Sequence, residues 1–363
     1  MGKTKISTLS AILITLSIVV SYVSSSLPRT FINETKSATL LNIVYITIVV
    51  LIIILFFCKL FNRFPGQDLL DVSEFLGGKL LKNIIGSLFI FYFIVSSSLM
   101  LRNFCEALVV VYYPITNHIF IILMFIIAVG FTNKLGFNST VNTASIAFPL
   151  VLISVILLFF GNFDNFSFNK IYPILGDGFK ETFVIGLKNI GAFGGICYMY
   201  FLPPLLEKPE KLKKIAVISV LFTGLFILLC VGTLLFIFSF YTSSNETMPL
   251  FLAARKIEFG EFFQRFESLF LLIWIISFCC YLSISVKFAT HIFNKMFNLS
   301  DKSIMLNIFL LLILGVSLLP KELSFSEIFE RDIYRYMRII IGFISGLTVL
   351  IFANLKKKAG EHY

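Results

Sequence analysis

Charged residues are scarce in this sequence: Asp, Glu, Lys and Arg together make up 14% of its 363 residues. Ordinary globular domains carry about 25% charged and about 45–50% apolar residues, whereas 58% of this chain is hydrophobic. This composition excludes a soluble enzyme, a nucleic-acid-binding module and a disordered tail. Because a membrane span takes about 20 residues, ten spans would use about 200 residues of the chain. We therefore expect a polytopic membrane protein.

Cysteine and histidine are few and do not cluster. The six cysteines lie in apolar runs without a Cys-x-x-Cys pair, and His118, His291 and His362 are scattered. A metal site needs several ligands at a definite spacing, and a disulfide framework needs a regular cysteine pattern. The sequence therefore predicts no metal, no cofactor and no disulfide framework. It also lacks a nucleophile–base pair, a phosphate loop and paired catalytic carboxylates, so we do not expect an enzyme.

Apolar runs of about 18 residues or more, separated by charged and turn residues, mark the expected membrane spans. They predict an all-α protein with ten transmembrane helices at 6–27, 39–58, 84–111, 118–132, 141–160, 186–202, 214–241, 264–288, 303–319 and 338–355. We expect residues 1–363 to form a single integral membrane domain. The first run follows Lys3 and Lys5 as a signal peptide would, but it is longer than the usual apolar region of about 7–15 residues.

Basic residues are distributed unevenly between the predicted loops. With the N-terminus inside, the inner segments hold 17 of 30 basic and 7 of 20 acidic residues, and the outer segments hold 11 and 12. Lysine and arginine accumulate in the cytoplasmic loops of membrane proteins. We therefore expect both termini in the cytoplasm, with some affinity of the inner surface for anionic lipid in the bilayer.

Ten spans divide into two sets of five. Because five is odd, the second set begins on the opposite side of the membrane and is inverted relative to the first. Such 5+5 inverted repeats are common in secondary transporters, whose ligand site lies where the first helix of each half is interrupted. The sixth span contains Gly191, Gly194 and Gly195, and each glycine costs a helix about 1 kcal/mol relative to alanine. We expect helices 1 and 6 to be discontinuous. Close packing between helices is the alternative explanation of the glycines.

The first span offers serines instead of glycines at the matching place. They are Ser21, Ser24, Ser25 and Ser26. Serine hydroxyls can satisfy loosened backbone, but they can equally bond to the preceding turn of an intact helix.

Two ionisable residues lie four apart in the third predicted span, on one face of the helix. Arg102 and Glu106 form either a gate with a polar lining or a structural ion pair, because charges inside a bilayer usually face protein or water. Lys188, near the outer end of the sixth span, can extend its ammonium group to the interface.

Three loops carry further signals. After Pro65-Gly66, apolar and acidic residues alternate with helical spacing, which predicts a short cytoplasmic amphipathic helix at about 67–77. The outer loop after the seventh span contains a helical run at 250–257, which is either a lid, a docking surface or a solvated interfacial helix. We expect the outer segment 321–337, with its mixed charges, to be solvated.

Four sequence stretches, in order along the chain, carry a resemblance to a known family. They are Phe64-Pro65-Gly66 with Glu74-Phe75-Leu76-Gly77, Arg102 with Glu106, Tyr172-Pro173-Ile174-Leu175-Gly176-Asp177-Gly178 with Phe201-Leu202-Pro203, and Arg265-Phe266-Glu267-Ser268 with Trp274-Ile275-Ile276. In this order and spacing the chain resembles the B subunit of spore germinant receptors, the spore germination protein AB/KB family of endospore-forming bacteria.

The resemblance implies a ten-helix fold of the amino acid/polyamine/organocation permease type. It also implies a complex in the spore inner membrane with a germinant receptor A subunit and a lipoprotein C subunit. In that complex the B subunit binds a small-molecule germinant, often an amino acid, and starts ion release. Carried over to this chain, the pocket would be formed by Ser21, Ser24, Leu99, Gly191, Phe193, Gly194, Gly195, Cys280 and Tyr281.

Two positions depart from the family pattern. Family members often have glycines at the break in the first span, where this chain reads Val20-Ser21-Tyr22-Val23, and an acidic residue after the glycines of the sixth span, where it has Cys197. Backbone N–H groups at unwound helix ends can still bind a carboxylate. An ammonium group would lack one partner, so a germinant other than an amino acid stays open.

Two other functions are compatible with the same fold, because a fold alone does not fix a function. A proton-coupled amino-acid transporter needs an intramembrane acid, and Glu106 is the only candidate once Glu267, at the outer end of its span, is counted with the outer segments. A ligand-gated ion conduit is suggested by the polar residues of the third span, and it can coexist with the receptor function.

Overall fold

The computed structural model describes residues 5–23, 27–246, 248–257, 266–299, 303–320 and 323–360. The structure is 87% helical, and the described ranges contain no β-strand. Extended backbone pairs at one isolated parallel bridge, where Ile6 lies beside Leu206. The sequence prediction of an all-α protein is confirmed.

Helices of widely differing length follow one another along the described chain. The α-helices are α1 Thr8–Val23, α2 Leu27–Thr35, α3 Thr39–Phe61, α4 Leu69–Val111, α5 His118–Lys134, α6 Phe137–Gly161, α7 Leu212–Ile237, α8 Phe240–Asn245, α9 Pro249–Arg255, α10 Phe266–Phe297, α11 Ser303–Ser317, α12 Leu323–Phe329, α13 Arg335–Ile339 and α14 Gly346–Gly360.

Tighter and wider helical turns join these elements. The 3₁₀-helices are Lys36–Ala38, Phe163–Asn165, Phe168–Ile171, Ile185–Phe201, Pro203–Leu205 and Pro209–Lys211. Turns of π-helix occupy Lys180–Val184, Glu330–Tyr334 and Ile340–Ser345. We call the 3₁₀-helix Ile185–Phe201 the glycine segment.

Seven stretches of the described chain are long and apolar enough to cross a membrane. They are Leu27–Phe61, Leu69–Val111, Phe137–Gly161, Lys180–Phe201, Pro209–Ile237, Phe266–Phe297 and Glu330–Ala359. Three shorter apolar helices, at Thr8–Val23, His118–Lys134 and Ile304–Ser317, lie where the sequence predicts the first, fourth and ninth spans. The chain is thus an integral membrane protein.

Several helices differ from the predicted span boundaries, among them the first and the last. Helix α1 ends at Val23 rather than at residue 27, and residues 24–26, with Ser24, lie outside the described part. The last span was predicted to begin at residue 338, but helical backbone already begins at Leu323. Sequence rules end a span at a charge, whereas charges that pair with each other can continue into a packed helix.

Helix α4 contains both the predicted amphipathic helix and the third span. It begins at Leu69, after an N-cap in which the Asp68 side chain accepts hydrogen bonds from the N–H groups of Leu70 and Asp71. The helix bends at Gly77 and Gly78, and Gly78 has a φ of +69°, which favours a residue without a side chain. The two predicted helices are therefore two arms of one bent element.

An ion cluster fastens the far end of α10 to the start of α4. Lys295 Nζ lies 2.7 Å from Asp68 Oδ2 and 2.6 Å from Asp71 Oδ2, and His291 Nε2 lies 3.8 Å from Asp68 Oδ2. Burial raises the pKa of Asp68, but the neighbouring His291 and Lys295 side chains outweigh burial and hold that pKa below its ordinary value. We call these four residues the Asp68 cluster.

Helix α1 occupies the centre of the bundle. It packs against α6, α7 and α10 and against the glycine segment. Helix α10 in turn packs against α4 and α6, and α13 packs against the glycine segment. The side chains of α1, α4, α10 and the glycine segment therefore meet in the interior.

Candidate functional site

A serine hydroxyl at the centre of the bundle joins three tyrosines from different elements. Ser96 Oγ on α4 shares hydrogen bonds with the hydroxyls of Tyr22 on α1, at 2.7 Å, and Tyr281 on α10, at 2.9 Å. The hydroxyl of Tyr334, from the π-turn Glu330–Tyr334, donates to the same oxygen. All four side chains are buried. We call them the tyrosine hub.

A buried arginine lies directly beside the tyrosine hub. The guanidinium carbon of Arg338 is 4.7 Å from the ring centre of Tyr334 and 5.6 Å from that of Tyr22. Aromatic faces attract cations at such distances. The nearest carboxylate is that of Glu330, whose Oε1 lies 3.8 Å from Arg338 Nη2. The ring faces of Tyr22 and Tyr334 therefore provide much of the electrostatic stabilisation of the Arg338 guanidinium.

The backbone of the glycine segment packs closely against α1 on one side and α13 on the other. A Cβ atom on Gly194 would lie 3.1 Å from both Arg338 Cδ and the Tyr92 hydroxyl, and one on Gly195 would lie 2.9 Å from Val19 Cγ2. On Gly191 it would lie 3.3 Å from Arg335 Cγ. The glycines thus permit close approach to α1 and α13, the alternative that the sequence left open.

The same segment is continuous but is not an α-helix. It is wound as 3₁₀ helix from Ile185 to Phe201, so the predicted interruption of helix 6 does not take the form of a break. Runs of 3₁₀ helix longer than three or four residues are uncommon, and inside a longer helical element they mark strain or a hinge. The glycines predict that an α-helix is unstable here, and the segment is indeed wound as 3₁₀ helix instead.

A charged cleft lies above the hub. It has a volume of about 80 Å³ and is lined by Arg29, Thr30, Asn33, Glu34, Glu330, Arg331, Arg335 and Arg338. We call it the arginine cleft. A smaller cavity of about 20 Å³ shares Thr30, Glu330, Arg335 and Arg338 with it and reaches Gly191. The cleft therefore leads from the end of the bundle to the glycine segment.

Ion pairs and hydrogen bonds hold the walls of the arginine cleft. Arg335 Nη1 pairs with Glu34 Oε1 across the cleft, and Asn103 Nδ2 on α4 donates to Glu330 Oε2 at 2.6 Å. Glu330 and Arg335 are buried. The prediction that the outer segment 321–337 is solvated is therefore wrong for Glu330 and Arg335, because these two charges are paired inside the bundle, whereas Arg331 and Asp332 are exposed.

Packed aromatic rings close the bundle on the other side of the hub. Phe93 and Tyr198 stack with ring centres 4.3 Å apart, and Phe89 packs edge-on against Phe201 at 5.0 Å. The Tyr198 hydroxyl shares a hydrogen bond with Ser285 on α10. This aromatic layer is therefore continuous with the hydrophobic core.

A short helix covers an apolar cavity beside the end of α1. Pro249, Leu250 and Phe251 of α9 line this cavity of about 20 Å³ together with Val23 and Trp274. Leu250 and Phe251 are buried. This packing favours the lid among the alternatives for the loop after the seventh span, and residues 258–265 of that loop lie outside the described part.

The structure brings together some of the predicted pocket residues and separates others. Tyr281 belongs to the tyrosine hub, Gly191 lines the smaller cavity, and Gly194 and Gly195 pack against Arg338 and Val19. Ser21 lies in intact helix and donates to the Ser17 carbonyl oxygen at 2.9 Å. The remaining described members of the predicted pocket belong to the hydrophobic core. They are Leu99, Phe193 and Cys280.

The predicted gate or ion pair in the third span is formed. Arg102 Nη2 lies 2.6 Å from Glu106 Oε1, and His118 Nδ1 at the start of α5 lies 3.7 Å from the same oxygen. Arg102 is buried. The contacts of Glu106 therefore run to its own helix and to α5.

Sequence reasoning missed most of the hub and the cleft. Tyr22 and Ser96 carry no motif, and their meeting depends on packing between distant segments. A signal was present further along: Glu330, Tyr334 and Arg338 are four residues apart, which puts them on one helical face. A charged and aromatic face leading into a membrane span predicts a buried polar site.

Comparison with known proteins adds the family. Residues 5–326 match the family model described as spore germination protein, a spore permease. The chain is 23% identical over 351 residues to spore germination protein B2 of Bacillus subtilis (strain 168), covering 93% of this chain and 92% of that protein.

Two further relatives come from the same organism. Identity to spore germination protein YndE is 25% over 360 residues, covering 97% of this chain and 94% of that protein. Identity to spore germination protein A2 is 29% over 240 residues, covering 63% of each chain. Because the family match covers most of the chain, this protein belongs to the spore germination protein family of permease-like membrane proteins.

Proposed function

We propose that this chain is the permease-like subunit of a spore germinant receptor, that it binds a small-molecule germinant and that binding triggers germination. The observation that carries the proposal is the arginine cleft, which leads to the tyrosine hub between α1, α4, α10 and the glycine segment. Membership of the spore germination protein family supports it. An amino acid is the first ligand class to examine.

The fold that we propose has ten membrane-spanning helices arranged as a 5+5 inverted repeat in one domain, residues 1–363. Seven long apolar stretches and three shorter apolar helices at the predicted positions support the number. Contact between α1 and the glycine segment supports the arrangement, because these are the first spans of the two halves and such helices form the site in inverted-repeat transporters.

In our proposal both termini face the cytoplasm and the protein resides in the spore inner membrane, beside an A subunit and a lipoprotein C subunit. The uneven distribution of basic residues supports the orientation. The Asp68 cluster would then lie on the cytoplasmic side and the arginine cleft would open outward. A germinant that enters the spore from outside would reach the cleft first.

Triggering requires that the ligand bind two states of the bundle with different affinity. The glycine segment is the element that we propose to move, since it is wound as 3₁₀ helix and touches both α1 and α13. A ligand in the arginine cleft would contact α13 directly. Rearrangement of the tyrosine hub would then carry the signal to α4 and α10.

The proposal is tested with spores of the native host in which the gene is replaced by variants. Gly194→Leu fills the space between the glycine segment and Arg338, and we expect loss of the response to the germinant at unchanged protein level. Gly315→Leu is the matched control, because nothing lies within 4 Å of a Cβ atom at Gly315. A full response from Gly194→Leu spores would count against this site.

A proton-coupled amino-acid transporter of the same fold is the second candidate. The expectation that Glu106 is the only acid within the bundle is wrong, because Glu330 and Glu267 are buried as well. Glu330 borders the arginine cleft, where a coupling carboxylate would be needed. Gradient-driven uptake in liposomes that is lost in Glu330→Gln or Glu106→Gln would favour transport. Ligand-dependent ion flux through the assembled complex would instead favour the ion conduit.

A further inference from the structure

The arginine cleft carries more positive than negative charge. Its lining contains four arginines and two glutamates, a net charge of +2. A concave site lined by one sign of charge attracts ligands of the opposite sign. The imbalance therefore selects for an anion rather than for a neutral molecule.

Both glutamates of the cleft are already engaged by the protein. Glu34 pairs with Arg335, and Glu330 accepts a hydrogen bond from Asn103 at 2.6 Å while staying 3.8 Å from Arg338. Arg331 forms two hydrogen bonds to Asp332, at 2.8 and 3.1 Å. Among the residues that the structure describes, no carboxylate lies closer to Arg338 than 3.8 Å.

Two guanidinium groups present unused hydrogen-bond donors. Within the part of the chain that the structure describes, Arg335 Nη2 and Arg338 Nε have no hydrogen-bond partner, although the residues are only 4% and 6% exposed. Both residues line the cleft and the smaller cavity beside it. Unsatisfied buried donors are costly, and a guanidinium presents its N–H groups in the planar geometry that a carboxylate accepts.

One unused acceptor is also present in the cleft. Glu34 Oε2 has no hydrogen-bond partner among the described residues. Its carboxylate is already neutralised by Arg335, so it does not offset the charge of Arg338. An ammonium group on the ligand would therefore gain less in this cleft than a second negative charge would.

We infer that the arginine cleft binds a small organic anion through a carboxylate held by Arg335 and Arg338, and that it discriminates against the corresponding neutral amide. The inference rests on the proposed function, because it names the ligand class of the same site. Both arginines lie beyond residue 326, where the family match ends. The inference is therefore argued from this chain's own residues and not from the family match.

The test is equilibrium binding to the purified full-length protein in nanodiscs, with acid and amide pairs as probes. Succinate is compared with succinamide and propanoate with propanamide, and inorganic phosphate reports a site for any anion or for a lipid headgroup. We expect at least one acid to bind about 10–100-fold more tightly than its amide, the range of a charged hydrogen bond. Equal affinities in the wild-type protein, phosphate binding alone, or no binding of any acid would overturn the inference.

Variants locate the site. Arg338→Gln is expected to weaken binding of the preferred acid about 10–100-fold, bringing it to the level of the amide. Arg255→Gln is the control, since Arg255 is exposed at the end of α9 and does not line the cleft. Unchanged acid binding in a folded Arg338→Gln protein would overturn the assignment, and the wild-type comparison still decides if that variant does not fold.

Spores separate this inference from the proposed function. Acid-selective binding by a protein whose deletion leaves germination intact would preserve the anion site and remove the receptor role. Germination that depends on the protein but responds equally to acid and amide would preserve the receptor role and overturn the anion preference.

Discussion

Arg338 lies so close to Gly194 that a Cβ atom on residue 194 would stand 3.1 Å from Arg338 Cδ. The contact joins the glycine segment to the helix that carries the arginine cleft. Because Arg338 also faces the rings of Tyr22 and Tyr334, a shift of the glycine segment changes the surroundings of the tyrosine hub. The cleft and the centre of the bundle are thus coupled through one side chain.

Removal of the central hydroxyl of the hub is predicted to destabilise the bundle. Ser96→Ala leaves the buried hydroxyls of Tyr22, Tyr281 and Tyr334 without their shared partner, which costs about 1–3 kcal/mol. Thermal unfolding in detergent should show a lower Tm. Ser73→Ala is the control, because the Ser73 hydroxyl only bonds to the Leu69 carbonyl of its own helix. Equal decreases in Tm for the two substitutions would contradict a stabilising role of the tyrosine hub.

The hydrogen bond between α4 and the cleft gives a second prediction. Asn103→Leu removes the donor to the buried Glu330 carboxylate, and loss of a hydrogen bond to a charged group costs about 1.5–3 kcal/mol. Asn103→Asp should be worse at neutral pH, since it sets two carboxylates against each other. When Tm is measured at decreasing pH, the difference in Tm between Asn103→Asp and Asn103→Leu should become smaller. A constant gap would argue against the contact.

The Asp68 cluster predicts a pH dependence of stability. Since its pKa is lowered in the folded protein, Asp68 contributes fully above its unfolded pKa of about 3.9, and this contribution is lost as pH falls through the lower folded value. Asp68→Asn should cost about 1.5–3 kcal/mol at neutral pH, because Lys295 loses its buried carboxylate and keeps only the half-buried Asp71. The difference in Tm from wild type should shrink below about pH 4. A difference that is independent of pH would contradict this assignment.

The ion pair of the third span is predicted to be structural rather than a gate. Arg102→Gln alone leaves the half-buried Glu106 carboxylate without the guanidinium that lies 2.6 Å away and should cost about 1.5–3 kcal/mol. The double variant Arg102→Gln/Glu106→Gln should recover most of that stability, and spores carrying it should germinate normally. A stable double variant without a germination response would instead assign the pair to gating.

The positions of the helices could be predicted from sequence because long apolar runs leave few alternatives. The tyrosine hub could not, since Tyr22, Ser96 and Tyr281 meet only after α1, α4 and α10 pack. The glycines of the sixth span indicated an unusual helix, but not that it would wind as 3₁₀ helix. The sequence prediction missed the buried start of the last span because it treated each charge as a mark of a solvated loop. Glu330, Tyr334 and Arg338 instead form one helix face that packs inside the bundle.

Detection of the protein in its native host tests the receptor role most directly. A tagged copy is probed in membranes of growing cells and of dormant spores, and the proteins that co-purify with it are identified. The account predicts that the protein is confined to spores and is recovered with A-type and C-type receptor subunits. Recovery of the protein alone from membranes of growing cells would contradict the account and favour a transporter.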